Sequence, residues 1–270
     1  MTDLRDRVVV ITGAGSGIGH ATALACAAQG ARVAACDIDQ PRLDVLAREL
    51  GDRALVVKRV DVSQHAQVRA FAADVHALVP AADIVVNNAG VAVGGSFVDT
   101  SLEDWTWLLG INLNGVIYGC HFFVPNMIAR GGGGHVVNLS SIFGIYPPPN
   151  VSAYVASKFA VRGFSLSLRA ELAPHGIGVT ALCPGLIATS IVTDGHMVGE
   201  VGARKGTLAD VFRRGTSPDR VAEAIIDVVR TNPAVRLVGA DAYVIAALSR
   251  VAPRALSRLG GSLQRRFGVG

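Results

Sequence analysis

The chain has 270 residues, half of them hydrophobic, only 17% charged, and 31 of them glycine. That is enough for one well-buried α/β domain with a parallel sheet, and it excludes extended disorder except at the ends. The net charge of +4 arises from Asp241 onward, where Arg250, Arg254, Arg258, Arg265 and Arg266 face one acid, Asp241; the balanced remainder offers no basic face or motif for nucleic acid.

Residues 7–12, Arg-Val-Val-Val-Ile-Thr, form a short continuously apolar run, which predicts a central parallel strand. Thr12-Gly13-Ala14-Gly15-Ser16-Gly17-Ile18-Gly19 follows, then an alanine-rich helical stretch over 20–29. Glycines at 13, 17 and 19 allow a tight turn, close approach to a pyrophosphate and close helix packing, with the helix N-terminus facing the phosphates. A second strand, 32–36, ends at Asp37, where an acid accepts both adenosine ribose hydroxyls and repels a 2′-phosphate. NAD is therefore expected, with NADP the lesser alternative. Ser16 and Ile38 stand where a basic residue selecting NADP would be, and Arg42 is expected on the solvated face of the next helix.

A third strand, 54–60, runs into Asp61 and Val62, with Asp61 or Ser63 available to cap a helix. A fourth, 83–86, ends in Asn87-Asn88-Ala89-Gly90, whose asparagines are expected to tie strand ends together by side-chain to backbone hydrogen bonds. Residues 102–130 predict a long helix holding Asn112 and Asn114, with Trp105 and Trp107 expected in the core or at an interface. The glycine loop 131–134 leads to a fifth strand, 135–139, that ends in Ser140 and Ser141. Pro147, Pro148 and Pro149 stiffen the loop beyond, and Phe143, Ile145 and Tyr146 are expected to line it with apolar surface.

Tyr154 and Lys158 lie in a helix-compatible run, and an i, i+4 pair on a helix shares one face. The ammonium is thus expected beside the phenol, favouring the phenolate and drawing its pKa from ~10 toward the working pH, as a general acid/base requires. Of the 25 basic residues only Lys58, Lys158 and Lys205 are lysines, so a lysine kept here suggests that a compact ammonium matters. A sixth strand, 178–183, leads to Pro184-Gly185, with Thr189 beyond; residues 190–215 are rich in glycine and mixed in pattern. Ser217-Pro218-Asp219 starts a helix through 230, with Ser217 as cap, and 235–238 is the last strand. An apolar stretch over 242–258 carries Arg250, Arg254 and Arg258 at four-residue spacing, with Pro253 set to break it. Such a basic tail suits an anionic membrane surface, a partner subunit or plain solvation.

Seven strands separated by helices give a single-domain, Rossmann-type, doubly wound parallel sheet in three α/β/α layers spanning 1–270. Over 7–185, and more loosely to 238, the motifs T-G-x-x-x-G-I-G, N-N-A-G, Ser141 with Y-x-x-x-K, and P-G-x-x-x-T resemble the compact short-chain dehydrogenase/reductase family. The resemblance implies an active site of Asn112, Ser141, Tyr154 and Lys158, in which Asn112 holds a water next to the lysine and Ser141 bonds the substrate oxygen. It implies cofactor contacts from Gly13, Ser16, Gly17, Ile18 and Gly19, from Asp37, and from Asp61 and Val62 at the adenine. Further cofactor contacts would come from Asn88, Ala89 and Gly90, from Tyr154 and Lys158, and from Pro184, Gly185, Ile187 and Thr189. Phe143 and Tyr146 would touch substrate with Ser141 and Tyr154, and 190–215 would be the substrate lid. The extension 241–270 departs from shorter members of the family, which weakens the expectation of their commonest tetramer; a homodimer or homotetramer is expected.

The function expected is hydride transfer between NAD and an apolar secondary alcohol or ketone, steroid-like, terpenoid or lipid. The alternatives are an NADP-dependent carbonyl reductase, a non-catalytic NAD-binding regulator and a membrane-docked scaffold. No cluster of arginines marks a phosphate or carboxylate site. Cys26, Cys36, Cys120 and Cys183 lack metal or redox spacing, so reduced thiols and no metal are expected. The charged start, without a signal stretch or an uninterrupted apolar run near ~18 residues, suggests a cytoplasmic protein, peripheral to a membrane if the tail binds one.

Overall fold

The computed structural model describes residues 3–251. Arg254, Arg258, Arg265 and Arg266, and with them most of the tail proposed for membrane contact, lie outside the described residues. The first strands and helices alternate: β1 (Val8–Thr12), α1 (Gly17–Ala28), β2 (Arg32–Asp37), α2 (Gln40–Leu50), β3 (Ala54–Arg59), α3 (His65–His76) and β4 (Ile84–Asn87). A two-residue strand, β5 (Val93–Gly94), then precedes α4 (Leu102–Leu109), α5 (Gly115–Arg130), β6 (Gly134–Leu139), α6 (Ser152–Leu172) and β7 (Ile177–Pro184). The chain continues through β8 (His196–Met197), α7 (Gly199–Ala203), α8 (Lys205–Arg213), α9 (Pro218–Thr231), β9 (Val235–Val238) and α10 (Ala240–Val251).

One seven-stranded sheet has the order β3-β2-β1-β4-β6-β7-β9, parallel throughout. Every strand expected from the sequence is in it, with ends displaced by no more than a residue. Successive side chains of a strand point to opposite faces. Val9 and Ile11 of β1 therefore join the core beneath α1, α2 and α9, while Val8 and Val10 join the one beneath α3, α5 and α6. Burial on both faces is why these strands read as unbroken apolar runs. The strand order reverses between β1 and β4, and in such sheets the crevice at the strands' carboxyl ends is where ligands bind.

Polar clamps fix the ends of the central strands. Asp83 is buried before β4 and accepts from Val8 N at 2.9 Å, Arg7 at 3.0 Å and Arg130 at 2.9 Å. Toward the carboxyl ends Asn87 donates to Asn138 Oδ1 at 2.8 Å, and Asn138 donates to Ser165 at 3.0 Å. Asn88 bonds the carbonyls of Thr12 and Gly13, each at 2.9 Å, which is the tying role expected of the asparagines.

Three local expectations change. Ser217 precedes α9 and Pro218 opens it, but the serine side chain makes no cap bond. The helix over 102–130 is continuous only through a π turn, Gly110–Asn114, between α4 and α5. By length and composition alone this stretch of 29 residues could cross a membrane, because an 18-residue window within it keeps a mean hydropathy of 1.3 despite single polar interruptions. In the fold α5 packs against α3 and β4.

Candidate active site

A cleft of about 830 Å³ opens at the carboxyl ends of the strands. Its floor is the turn from β1 into α1. Gly17 has φ +53°, and a Cβ there would stand 3.0 Å from the methyl of Thr189; a Cβ on Gly19 would stand 2.1 Å from Gly13 O. Gly13, Ser16, Gly17 and Ile18 line the cleft, while Gly19 lies behind and lets the helix seat on the turn. Ser16 precedes α1 without a side-chain cap bond, so the helix's first backbone N–H groups face the cleft.

Asp37, at the end of β2, accepts from Gly15 N at 2.8 Å and from Asp39 N at 3.0 Å. Arg42 is not confined to a solvated helix face: it lines the cleft, 3.2 Å from Asp39 and 3.6 Å from Asp194. The compact turn at Gly15 brings the first turn of α2 to the cleft mouth, where a Cβ on Gly15 would meet Arg42 and Asp37 alike. Asp61 and Val62 line the next stretch, and Asp61 is held by Ser63 N and Oγ at 2.9 and 2.7 Å rather than capping α3, whose N-cap is Gln64. Asn88, Ala89 and Gly90 form one wall; Pro184, Gly185, Ile187 and Thr189 form the other. A glycine floor, unspent helix N–H groups and a carboxylate at the far end fit a dinucleotide.

Ser141, Tyr154 and Lys158 converge where this trough widens. The short helical turn Ile142–Gly144 is capped by Ser141, whose Oγ accepts from Phe143 N at 3.1 Å and is hydrogen-bonded to Tyr154. Lys158 lies one turn along α6, buried, with Nζ 5.5 Å from the centre of the Tyr154 ring and bonded to Leu139 O at 2.9 Å. The pairing on one helix face is as expected, but the titration is not. Burial pushes the Tyr154 phenol up to about 12, against the smaller lowering by Ser141, and pulls Lys158 down to about 8. The ring is half-buried by surface because it opens on the cleft, yet desolvation of the surrounding site outweighs a cation that stands beside the ring.

Asn112 is fully buried in the π turn and does not line the cleft. Its amide is spent on Val91 N at 2.8 Å, Val91 O at 2.9 Å and Ser157 at 3.2 Å. A Cβ on Gly90 would stand 3.3 Å from Asn112 Oδ1 and 3.5 Å from Lys158 Nζ, so the asparagine borders the lysine across a glycine. Asn114 is exposed.

Beyond Tyr154 the cleft is apolar, walled by Val91, Val93, Phe143, Met197 and Phe212. Phe143 meets Tyr154 edge-on at 6.2 Å. Of the three side chains expected on this wall only Phe143 lines it; Ile145, past the end of the helical turn, lines a different hollow, and Tyr146 is not part of the cleft lining. Trp107, expected in the core or at an interface, lines the cleft and stacks on His196 with ring centres 3.9 Å apart and planes 9° apart. The segment over 190–215 carries β8, α7 and α8, and β8 pairs in parallel with β5. Asp241 is a residue the sequence reading missed; from the first turn of α10 it accepts from Leu186 N at 2.7 Å and so holds the cleft wall after β7. Its one available signal was being the lone acid of a basic tail.

A family model for short chain dehydrogenases matches residues 7–196. The chain is 42% identical over 260 residues to the probable oxidoreductase EphD of Mycobacterium tuberculosis, covering 93% of this chain but 44% of the relative, so it spans less than half that protein's length. It is 36% identical over 277 residues to the putative oxidoreductase SadH of the same species, covering 100% of this chain and 97% of SadH. A Burkholderia phymatum short chain dehydrogenase/reductase, solved in complex with NAD, superposes with a TM-score of 0.87 at 29% identity, covering 93% and 95% of the two chains.

Proposed function

The chain belongs to the short chain dehydrogenase family of oxidoreductases, and from that premise we propose that it interconverts an uncharged, apolar secondary alcohol and its ketone with NAD. The observation that carries this reading is the convergence of Ser141, Tyr154 and Lys158 at the junction between a glycine-floored trough and an apolar chamber. NAD, when bound, supplies the acceptor or donor of the hydride. Asp37 would hold the adenosine ribose, the N-terminus of α1 the pyrophosphate, and Thr189 its far side. The residues around the reacting carbon handle the proton. Ser141 Oγ would orient the substrate oxygen, and Tyr154 would take the hydroxyl proton of the alcohol or return it to the carbonyl oxygen. A phenol raised by burial stays protonated and so holds the proton that reduction of a ketone needs, while Lys158 would favour the phenolate needed for the opposite direction.

NAD is favoured over NADP by the fixed carboxylate of Asp37 and by the pairing of Arg42, which lines the same cleft, with Asp39 and Asp194. The apolar substrate class is supported by Trp107 joining Phe143, Met197 and Phe212 along one part of the cleft. The test is NADH formation from a panel of apolar secondary alcohols, with NADP in parallel and Tyr154→Phe as control. Turnover with NAD that falls about 100-fold or more in the variant is expected, the usual scale of a lost general acid/base. Failure of every alcohol and every ketone while NAD still binds would replace the dehydrogenase with an NAD-binding regulator.

A further inference from the structure

A second hollow of about 550 Å³ lies on the far side of the Ser141 turn, bounded by α6, β9 and α10. Arg162, Arg236 and Arg250, distant in sequence, line it together with the hydroxyl-bearing Tyr243 and Ser249. Among the described residues no acid lines it, and only Arg236 of the three has an acidic partner, Asp227 at 3.1 Å outside the hollow. Arg162 reaches Gly144 O at 3.2 Å through one terminal nitrogen, and the Nε groups of Arg162 and Arg236 are both buried without a partner among the described residues. A buried guanidinium N–H left unpaired is unfavourable, and three guanidinium groups around one space favour an anion between them. The floor is apolar, made by Ile145, Val235, Leu237 and Ala246. The volume is that of a small-molecule site.

We propose that this hollow binds a small amphiphilic oxyanion, a carboxylate or phosphate head on an apolar body, at a site separate from the catalytic cleft. The head would sit among the three guanidinium groups and the body on Ile145 and Leu237. The two sites are one layer apart: Ile142 packs on Ala242 and Ala246 of α10, with Phe143 and Ile145 to either side, and Arg162 stands one turn beyond Lys158 on α6. An anion drawing on Arg162 competes with Gly144 O, the carbonyl that ends the turn capped by Ser141.

Isothermal titration of the full chain with octyl phosphate and octanoate tests the site without relying on turnover. Both probes should bind, octyl phosphate at least tenfold more tightly than octanol or inorganic phosphate. Arg250→Gln, at an exposed position where folding is not at risk, should weaken octyl phosphate about fivefold or more, and Arg236→Gln likewise, with NAD affinity unchanged. Trp107→Ala, which alters only the catalytic cleft, should leave the probe's affinity as it was. Binding that survives both arginine substitutions, or that Trp107→Ala abolishes, overturns the assignment, as does inorganic phosphate binding equal to octyl phosphate. Phosphatidylglycerol vesicles separate a free amphiphile from a lipid surface: vesicle sedimentation that depends on Arg236 and Arg250 without any binding of monomeric octyl phosphate also overturns it.

Discussion

Asp37 has both carboxylate oxygens engaged, on Gly15 N and Asp39 N, so its charge cannot swing out of the cleft. A 2′-phosphate would have to sit against that charge. Asp37→Ala removes the repulsion and leaves Arg42 at the cleft mouth, so the ratio of kcat/KM for NAD over NADP should fall by about 10-fold to 100-fold, the scale of a removed like-charge contact. Parallel initial rates with the two cofactors check this, and an unchanged ratio would refute the role of Asp37. The charge at the end of β2 was legible because strand and turn fix it locally. Arg42 was not, since its approach to the cleft depends on how closely α2 can fold back over Gly15. The same division runs through the centre. Tyr154 and Lys158 share a helix face by spacing alone, whereas the titration of the phenol reflects desolvation by elements far away in sequence.

At the scale of elements, the sheet and its crossover helices follow from hydrophobic period, but the segment over 190–215, which we propose to be the substrate lid, does not. β5 and β8 have two residues each, too short for any alternation, and a pattern rich in glycine reads as a loop. Gly195 shows why those glycines are there: a Cβ on it would stand 2.5 Å from Ala92 O, so the residue permits the lid strand to lie against the body. Closure is reinforced by His196, which bonds Asp104 at 2.8 Å and stacks on Trp107, while Asp104 and Ser101 form the capping box of α4. His196→Ala keeps Asp104 in that capping box but frees the lid and uncovers one face of Trp107. KM for the alcohol should rise about 3-fold to 10-fold with a smaller change in kcat, because a lid that contributes mainly to binding acts on the ground state and transition state alike. Steady-state kinetics and tryptophan fluorescence report this together. An unchanged KM would mean that the lid stays seated through β5 and β8 alone.

At the scale of the whole molecule, His135, Lys158 and Tyr154 bind protons differently in the folded and unfolded chains, as do the buried thiols Cys26, Cys36, Cys120 and Cys183, all raised by burial. The resulting pH dependence of stability has a definite shape. His135 is 2% exposed, bonded to Thr180 at 3.0 Å, and its pKa is pulled down to about 4 by burial, with a smaller contribution from Arg169. Between about 6.5 and 4 the unfolded chain takes up a proton that the folded one refuses, so stability present above 6.5 is lost as pH falls through 4. Lys158, lowered to about 8 from 10.5, behaves in the same sense: its contribution is complete above 10.5 and is lost as pH falls through 8. Tyr154, raised to about 12 from 10.0, acts oppositely, and its contribution is lost as pH rises through 12. Together they predict a melting temperature that climbs on leaving acid and falls above about pH 9, where the four thiols and then Tyr154 outweigh Lys158, which opposes the fall between pH 8 and 10. Lys158→Met should lose that opposition, fall more steeply between pH 8 and 10, and be more stable at pH 7, where the buried ammonium is otherwise most costly, while abolishing turnover; His135→Gln should flatten only the acid limb. Denaturation curves of the three proteins from pH 4 to 11 decide it, and an alkaline limb in Lys158→Met that is no steeper between pH 8 and 10 would show that the buried lysine keeps its ordinary affinity for the proton.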